Sequence, residues 1–229
     1  MVTCGAIVSI NVGLPREYDS AATDDPDAFV ESPPPADKFR GPWITGFFKQ
    51  PVAGPVVVHL TNLSGDGQAD RRVHGGPDKA VLAYAADHYP VWRLELGEPG
   101  LSFGAFGENL SIADVTERDV CIGDVWSAGD VRLQVSQPRQ PCWKLARRWH
   151  RPDLPRRVVQ TNRTGWYFRV LQTGVIEAGQ AISLSERPHE AWTVERCNDA
   201  MYRQAASRAE LMELMSLPEL SDAWKHDLA

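Results

Sequence analysis

The chain has 229 residues, of which 43% are apolar and 24% are charged, as expected for a globular protein with a sizeable core. Its 24 Lys and Arg residues against 30 Asp and Glu residues give a net charge of −6, which repels phosphate backbones and anionic bilayers. This balance disfavours nucleic-acid binding and a role at a membrane surface.

The sequence carries no basic leader and no long uninterrupted apolar run, so we expect neither a signal peptide nor a membrane span. The cysteines at positions 4, 121, 142 and 197 are too few and too far apart for a disulfide framework or a CxxC metal site. We therefore expect a cytoplasmic protein with reduced thiols.

Short β-branched or aromatic segments alternate with Gly, Pro and Asp turns, which predicts a mainly β fold, a barrel or packed sheets. The opening strand is expected within residues 5–14. An acidic, proline-rich stretch at about 19–37 is predicted to be a solvated insertion. The other strands are expected around 43–48, 55–60, 80–84, 110–115, 124–126, 131–136, 168–172 and 181–184.

Apolar residues at helical spacing predict one helix at 87–96 and another at 142–150. Beyond residue 187 the pattern changes, and it indicates three short helices. We therefore divide the chain into a β domain at 1–187 and a helical extension at 188–229.

Within that extension, Val194, Cys197 and Met201 mark one face of the first helix. Ser-x-x-Glu signatures at 207–210 and 216–219 predict the starts of the other two helices, because such pairs form capping boxes.

The segment 135–148 is the richest in potential chemistry. Pro138 and Pro141 stiffen the exit from a strand, and Cys142 falls in the first turn of the predicted helix, where free N–H groups favour a thiolate. Residues 139–157 hold seven Lys or Arg and one acid, which suits an anionic small ligand. A lone cysteine is also commonly a small buried apolar residue, and an Arg-rich helix face is commonly just solvated.

The segment 67–81 contains two adjacent glycines among basic side chains. Arg72, His74 and Lys79 add hydrogen-bond donors and positive charge, a combination suited to a phosphate or oxo group. The alternative is an ordinary β-turn at 75–78 with no ligand.

Two further clusters leave similar alternatives open. Glu108 and Asn109 lie between glycine and a predicted strand, where the amide could recognise a heterocycle edge or simply close a turn. Arg163 and Thr164 could bind a phosphate, whereas the aromatic run at 166–168 is typical of a core strand.

Taken together, these segments resemble the MOSC domain, the module named after the carboxy-terminal part of molybdenum cofactor sulfurases, in its stand-alone bacterial YiiM-like branch. The similarity covers most of residues 5–187, and the helical extension resembles the three-helix module of that branch. The motifs that carry it, in family order, are 8–15, 54–56, 65–70, 74–76 with 79–81, 106–110, 136–142 and 163–167.

The resemblance implies a MOSC-type β-barrel that binds a molybdenum–pterin cofactor, with Cys142 as the protein ligand to the metal. A soft thiolate suits molybdenum, and the pterin dithiolene supplies the remaining sulfur. The residues that we expect to bind the cofactor are Arg72, His74, Gly75, Lys79, Asn109, Arg139, Arg163 and Thr164. Those expected to take part in catalysis are Cys142, His74, Asn109 and Glu108.

The resemblance also implies reduction of N-hydroxylated compounds, in particular purine bases such as hydroxylaminopurine, as a detoxification. The chain shows no flavin, haem or iron–sulfur motif, so a separate redox protein is expected to supply electrons. Pyridoxal phosphate is not expected, and analogy with the family suggests a homodimer. The alternatives are a non-catalytic cofactor carrier or sulfur-handling module, and a metal-independent thiol enzyme that uses Cys142 with His74 as base.

Overall fold

A computed structural model describes residues 3–18, 41–70 and 74–229. The predicted insertion at about 19–37 and the candidate Arg72 lie outside the described residues. The strands are β1 Cys4–Val12, β2 Arg16–Tyr18, β3 Trp43–Thr45, β4 Gln50–Pro51, β5 Val56–Val58, β6 Val81–Ala85, β7 Leu110–Ala113, β8 Val125–Ala128, β9 Val131–Pro138, β10 Trp166–Gln172, β11 Gly174–Ile176 and β12 Ala181–Glu186. The helices are α1 Tyr89–Leu96, α2 Trp143–Trp149, α3 Leu154–Gln160, α4 Val194–Tyr202, α5 Arg208–Ser216 and α6 Asp222–Leu228.

Seven of these strands close into a barrel. They follow the order β12–β8–β9–β10–β6–β7–β1, and the pairing of β1 with β12 joins the two edges. Neighbours are antiparallel except β6 and β7, which run parallel. Closure removes the free edges that an open sheet would expose. The predicted mainly β barrel with a helical C-terminal part is therefore confirmed.

Alternating burial along the strands explains why these residues form a barrel. In β9, Val131, Leu133 and Val135 are fully buried, and the residues between them are only partly covered. Phe168 and Val170 of the neighbouring β10 join the same interior cluster. A side-chain period of two matches the pleat, so one face of each strand fills the barrel.

A second buried cluster lies outside the barrel and supports the segment that carries Cys142. Tyr84 of β6 stacks on Phe106 at a centroid distance of 4.7 Å, and Trp92 of α1 donates to the Tyr84 hydroxyl at 2.7 Å. Leu145 of α2 and Leu154 of α3 are buried in this cluster. Helices α2 and α3 are thereby packed on the wall of the barrel.

The C-terminal helices pack directly onto the barrel. Val194, Leu214 and Trp224, one from each helix, belong to the same buried cluster as the barrel strands. The Ser221 hydroxyl donates to Gln137 Oε1 at 2.7 Å, which ties the start of α6 to the end of β9. No helix in the described ranges is long and apolar enough to cross a membrane.

The predicted capping boxes have different outcomes. Ser207 and Glu210 cap each other at the start of α5, as predicted. The prediction for residues 216–219 is wrong, because Ser216 is the last residue of α5 and Ser221 caps α6 by accepting from Trp224 N at 3.2 Å. The residues between them form a tight turn, in which Leu220 N donates to the Leu217 carbonyl.

All eight internal segments predicted as strands overlap an observed strand, and the helices predicted at 87–96 and 142–150 correspond to α1 and α2. The short strands β2, β4 and β11 and the helix α3 were not predicted. Each has two to seven residues, too few to show a clear hydrophobic period.

Candidate functional site

An open cavity of about 630 Å³, counting the solvent at its mouth, lies among four loops. These are the β3–β4 loop, residues 67–69 with 74–75, the approach to β7 and the connection from β9 to α2. The lining residues are Thr45, Gly46, Phe47, Lys49, Gly67, Gln68, Ala69, His74, Gly75, Lys79, Leu82, Gly107, Asn109, Arg139, Gln140, Cys142, Lys144 and Tyr167.

Cys142 lies in this lining, on the connection from β9 to α2. It is the residue immediately before the helix, with an extended backbone, rather than a residue of the first turn as predicted. Its side chain makes no capping hydrogen bond and is partly exposed, whereas Cys121 and Cys197 are buried in the core. The thiol is therefore accessible to a ligand in the cavity.

Arg139 places a buried positive charge on the same wall. Its side chain is only 3% exposed, and Nη2 donates to the Phe106 carbonyl at 3.0 Å. The other terminal nitrogen, Nη1, is buried and has no hydrogen-bond partner among the described residues. Because an unsatisfied buried donor is costly, this guanidinium is arranged for an acceptor that binds in the cavity.

His74, Lys79 and Lys144 complete the basic lining. Burial, followed by the positive charges of Lys144, Lys79 and Arg139, lowers the pKa of His74 to about 4. Burial also lowers the pKa of Lys79. His74 is therefore neutral near pH 7, and its ring can accept a hydrogen bond there.

Backbone conformation explains the glycine at position 75. Gly75 has a φ of +81°, a region that side-chain-bearing residues rarely adopt, and an added Cβ would lie 2.8 Å from Gln68 Oε1. The absence of a side chain at position 75 lets Gln68 approach the backbone there.

Asn109 also lies in the lining, but its amide is already engaged. Its Oδ1 accepts from Leu82 N at 3.1 Å and its Nδ2 donates to the Asn11 carbonyl at 3.2 Å. The amide therefore fixes the approach to β7 between two strands. Both polar atoms of the amide already have partners within the fold, so the structure does not support the predicted contact of this amide with a ligand.

Glu108 does not line the cavity. Its carboxylate is fully buried and accepts hydrogen bonds from the Gly104 amide at 2.7 Å, the Phe106 amide at 3.2 Å and the Ser111 hydroxyl at 2.8 Å, and from the Tyr89 hydroxyl at 2.5 Å. This carboxylate organises the turn before β7. Glu108 was expected to take part in catalysis, but the structure places its buried carboxylate outside the lining of the cavity.

Arg163 and Thr164 are likewise outside the lining. Arg163 pairs with Glu95 at 3.0 Å, and its guanidinium lies 4.8 Å from the Trp92 ring centroid. Thr164 is fully buried, and its hydroxyl accepts from Asn198 of α4 at 2.9 Å. The structure therefore brings together His74, Gly75, Lys79, Asn109, Arg139 and Cys142, and leaves Glu108, Arg163 and Thr164 elsewhere.

Most of the lining residues were not predicted as site residues, and three of them have side chains suited to chemistry or stacking, namely Lys49, Gln68 and Tyr167. Lys49 and Gln68 face the cavity beside Asp66, and Tyr167 lies in the run that was assigned to the core. The signal for Lys49 was present, since it is a single charged residue after an apolar, aromatic segment. No such indication exists in the sequence for Tyr167. A strand with one side in the core and the other facing a cavity has the same apolar sequence pattern as a strand buried on both sides.

Comparison with known proteins places the chain in a family. Residues 70–183 match the MOSC domain, and residues 192–228 match the YiiM-like, 3-alpha helix domain. The crystal structure of YiiM from Geobacillus stearothermophilus has a TM-score of 0.76 at 38% identity, covering 98% of this chain and 97% of that one.

Two protein sequences are also similar to this chain. YflK of Bacillus subtilis is 39% identical over 222 residues, which cover 96% of this chain and 91% of YflK. A Gibberella moniliformis protein named reductase is 38% identical over 221 residues, covering 92% of this chain but only 39% of that longer protein. The chain therefore belongs to the MOSC-domain proteins, in their YiiM-like branch.

Proposed function

We propose that the protein is a molybdenum-cofactor-dependent reductase of N-hydroxylated compounds, with Cys142 as the protein ligand to the metal. The observation that carries this proposal is the cavity in which an accessible thiol lies beside a buried guanidinium with an unused donor. The MOSC family and the relative named reductase support the same class of activity.

The residues present fit the cofactor. Within the described ranges, no group of three His, Cys, Asp or Glu side chains is arranged to hold a metal ion. The fit therefore concerns a metal whose other ligands are brought by the pterin, with one soft thiolate from the protein. The cations around that thiolate suit the anionic dithiolene and phosphate groups.

The chain's own side chains would bind and orient this group. Arg139 offers its unpaired nitrogen, and Lys79 and Lys144 add positive charge to the same lining. His74, neutral because of burial and the neighbouring cations, offers a ring nitrogen without adding charge. When bound, the cofactor supplies a metal that can exchange two electrons with the substrate.

The proposed substrates are N-hydroxylated purine bases such as hydroxylaminopurine, and the proposed electron source is a separate redox protein. Phe47 and Tyr167 line the cavity and offer aromatic surface for a planar base.

A thiol enzyme that uses His74 as its base fits less well. A base with a pKa of about 4 holds a proton poorly near pH 7, whereas thiol activation needs a base that takes the proton. A cofactor carrier would use the same cavity, so only turnover separates it from a reductase.

The test is to purify the protein without oxygen from a host that makes the molybdenum cofactor. Molybdenum is measured per chain, and hydroxylaminopurine reduction is followed with reduced methyl viologen as donor. The proposal expects both bound molybdenum and adenine formation. Bound molybdenum without turnover would support a carrier, and turnover in metal-free protein would support a thiol enzyme.

A further inference from the structure

Lys49 is a buried ammonium group at the wall of the cavity. The residue is 7% exposed, and its Nζ forms an ion pair with Asp66, whose side chain is fully buried. Lys49 nevertheless lines the cavity that Cys142 also lines. Burying an ammonium group at this position carries a desolvation cost, which the ion pair with Asp66 offsets. A function of this charge in the cavity would explain its position.

Asp66 holds this ammonium in a fixed place. One of its oxygens also accepts from the Gly13 amide at 3.0 Å, and the other accepts from Gln68 Nε2 at 3.3 Å. The carboxylate therefore connects Gly13, just after β1, with Gln68 and Lys49. The ammonium has three N–H bonds, of which the carboxylate takes one.

Reduction of an N–OH group consumes protons as well as electrons. Converting R–NH–OH to R–NH₂ and water takes two electrons and two protons, and one proton must reach the oxygen as the N–O bond breaks. A positioned acid of moderate pKa provides such a proton most effectively.

Other proton-bearing groups in the lining are less suited to this step. His74 is deprotonated near pH 7, since its pKa is about 4, and burial raises the pKa of Tyr167 to about 12. Arg139 does not release a proton in the accessible pH range. Lys79, whose pKa burial also lowers, and Lys144 lie in the same lining. Lys49 is distinguished among the three lysines by its ion pair with the fully buried Asp66.

We propose that Lys49, positioned by Asp66, is the acid that protonates the oxygen leaving an N-hydroxylated substrate. This inference rests on the proposed function. One Nζ–H bond breaks and one O–H bond forms while the N–O bond breaks, and water is the product. The two electrons come from a reduced redox protein through the cofactor, and solvent supplies the second proton and reprotonates the Lys49 amine.

Burial, and not the neighbouring carboxylates, favours release of a proton from Lys49. Burial lowers its pKa, and Asp66 and then Glu108 oppose this lowering. The cavity side adds the cations Arg139, Lys79 and Lys144, the neutral His74, and the Cys142 and Tyr167 side chains. We therefore expect the pH dependence of kcat to follow the titration of Lys49 as it is influenced by these neighbouring groups.

The test compares Lys49→Gln, Lys49→Arg and the double variant Lys49→Gln/Asp66→Asn with wild type, and uses Lys225→Gln in α6 as the control. The double variant removes both charges of the ion pair. Comparing it with Lys49→Gln therefore distinguishes unfolding caused by an unpaired Asp66 from the loss of the proton donor. All are loaded with cofactor, and molybdenum per chain and the unfolding temperature are measured beside kcat.

The proposal expects kcat to fall by about 10²–10⁴-fold in all three Lys49 variants, with molybdenum content unchanged. Wild-type kcat should decline as the pH rises and Lys49 loses its proton, and this decline should disappear in the variants. Lys49→Arg is decisive, because it retains the positive charge opposite Asp66 but cannot release a proton. Normal turnover in Lys49→Arg would overturn the proposal and leave Lys49 a structural role.

A second readout does not depend on turnover. In metal-free protein labelled with ¹³C at lysine Cε, the Lys49 resonance, assigned by its loss in Lys49→Arg, should titrate below the lysines that do not line the cavity, such as Lys225. Titration at or above them would contradict the proposal. Wild type without molybdenum would instead contradict the proposed function itself.

Discussion

Two groups of basic side chains that lie close together in the sequence have different roles in the structure. Arg139 and Lys144 line the cavity. Arg148, only a few residues later, donates to the Phe47 carbonyl at 3.0 Å and the Gly104 carbonyl at 2.8 Å. Arg151 donates to the Leu96 carbonyl at 3.0 Å, and Arg157 pairs with Glu95.

The basic segment at 139–157 is therefore not one anion-binding surface. Its first residues face a cavity, and its later arginines hold α2 and α3 against neighbouring loops and against α1. The difference lies in whether each guanidinium has its partners within the fold. The unused buried donor of Arg139 lies beside the cavity and is available to a ligand, whereas Arg148 makes its hydrogen bonds within the fold and stabilises the protein.

The largest stability effect is expected for Glu108→Gln. The carboxylate accepts four hydrogen bonds, and the amide of Gln would turn a donor toward those donors. Stability should fall by about 2–4 kcal/mol, measured by urea unfolding of metal-free protein. Molybdenum per folded chain should remain close to wild type. Unchanged stability with lost metal would place Glu108 in the binding site instead.

The next prediction uses a matched pair, Arg139→Met and Arg163→Met. Arg139→Met should weaken cofactor retention by about 10–100-fold, because charge-assisted hydrogen bonds are worth about 1.5–3 kcal/mol. Arg163→Met should cost only about 1 kcal/mol of stability, through its ion pair with Glu95 and its contact with Trp92.

Retention is measured as molybdenum remaining after gel filtration in graded chelator. Equal losses of molybdenum in both variants would show that the distinction between paired and unpaired arginines is wrong.

A smaller effect concerns pH. In the folded protein the pKa of His74 is lowered from its ordinary value of 6.5 to about 4. Between pH 6.5 and pH 4, His74 is therefore more protonated in the unfolded chain than in the folded protein. Metal-free protein should therefore lose stability as the pH falls through this window. His74→Gln should reduce that slope, as measured by thermal unfolding at successive pH values. A slope identical to wild type would contradict the neutral, buried state of His74.

The smallest expected effect is at the start of α6. Ser221→Ala removes the hydroxyl that accepts from Trp224 N and donates to Gln137 Oε1, and should cost about 1–2 kcal/mol of stability. Ser216→Ala, at the position predicted wrongly from sequence, should cost less, because Ser216 ends α5 rather than capping a helix. Urea unfolding of the two variants tests this order.

Much of the fold follows from local pattern. The strands β9 and β12 and the helix α5 each carry a hydrophobic period or a capping box that is complete within a few residues. The short strand β4 could not be predicted in this way. It pairs with the end of β1, and only the tertiary arrangement brings those segments together.

The candidate site was predictable where the motif itself forms the wall, as for His74, Gly75 and Cys142. It was not predictable for Glu108 and Arg163, since a sequence shows a charged residue but not the partners that occupy it. Lys49 shows the reverse case, because its position beside Asp66 arises from two separate loops.

The most direct measurement of the central claim is molybdenum per chain in wild type, Cys142→Ser and Cys4→Ser, all purified from the same cofactor-producing host. Cys4 is exposed, and its thiol forms a hydrogen bond with the Ser183 hydroxyl. The Cys4→Ser variant therefore controls for the loss of a thiol that is not the proposed metal ligand. The account predicts molybdenum in wild type and Cys4→Ser and its loss from a folded Cys142→Ser. Equal molybdenum in Cys142→Ser and wild type would contradict it.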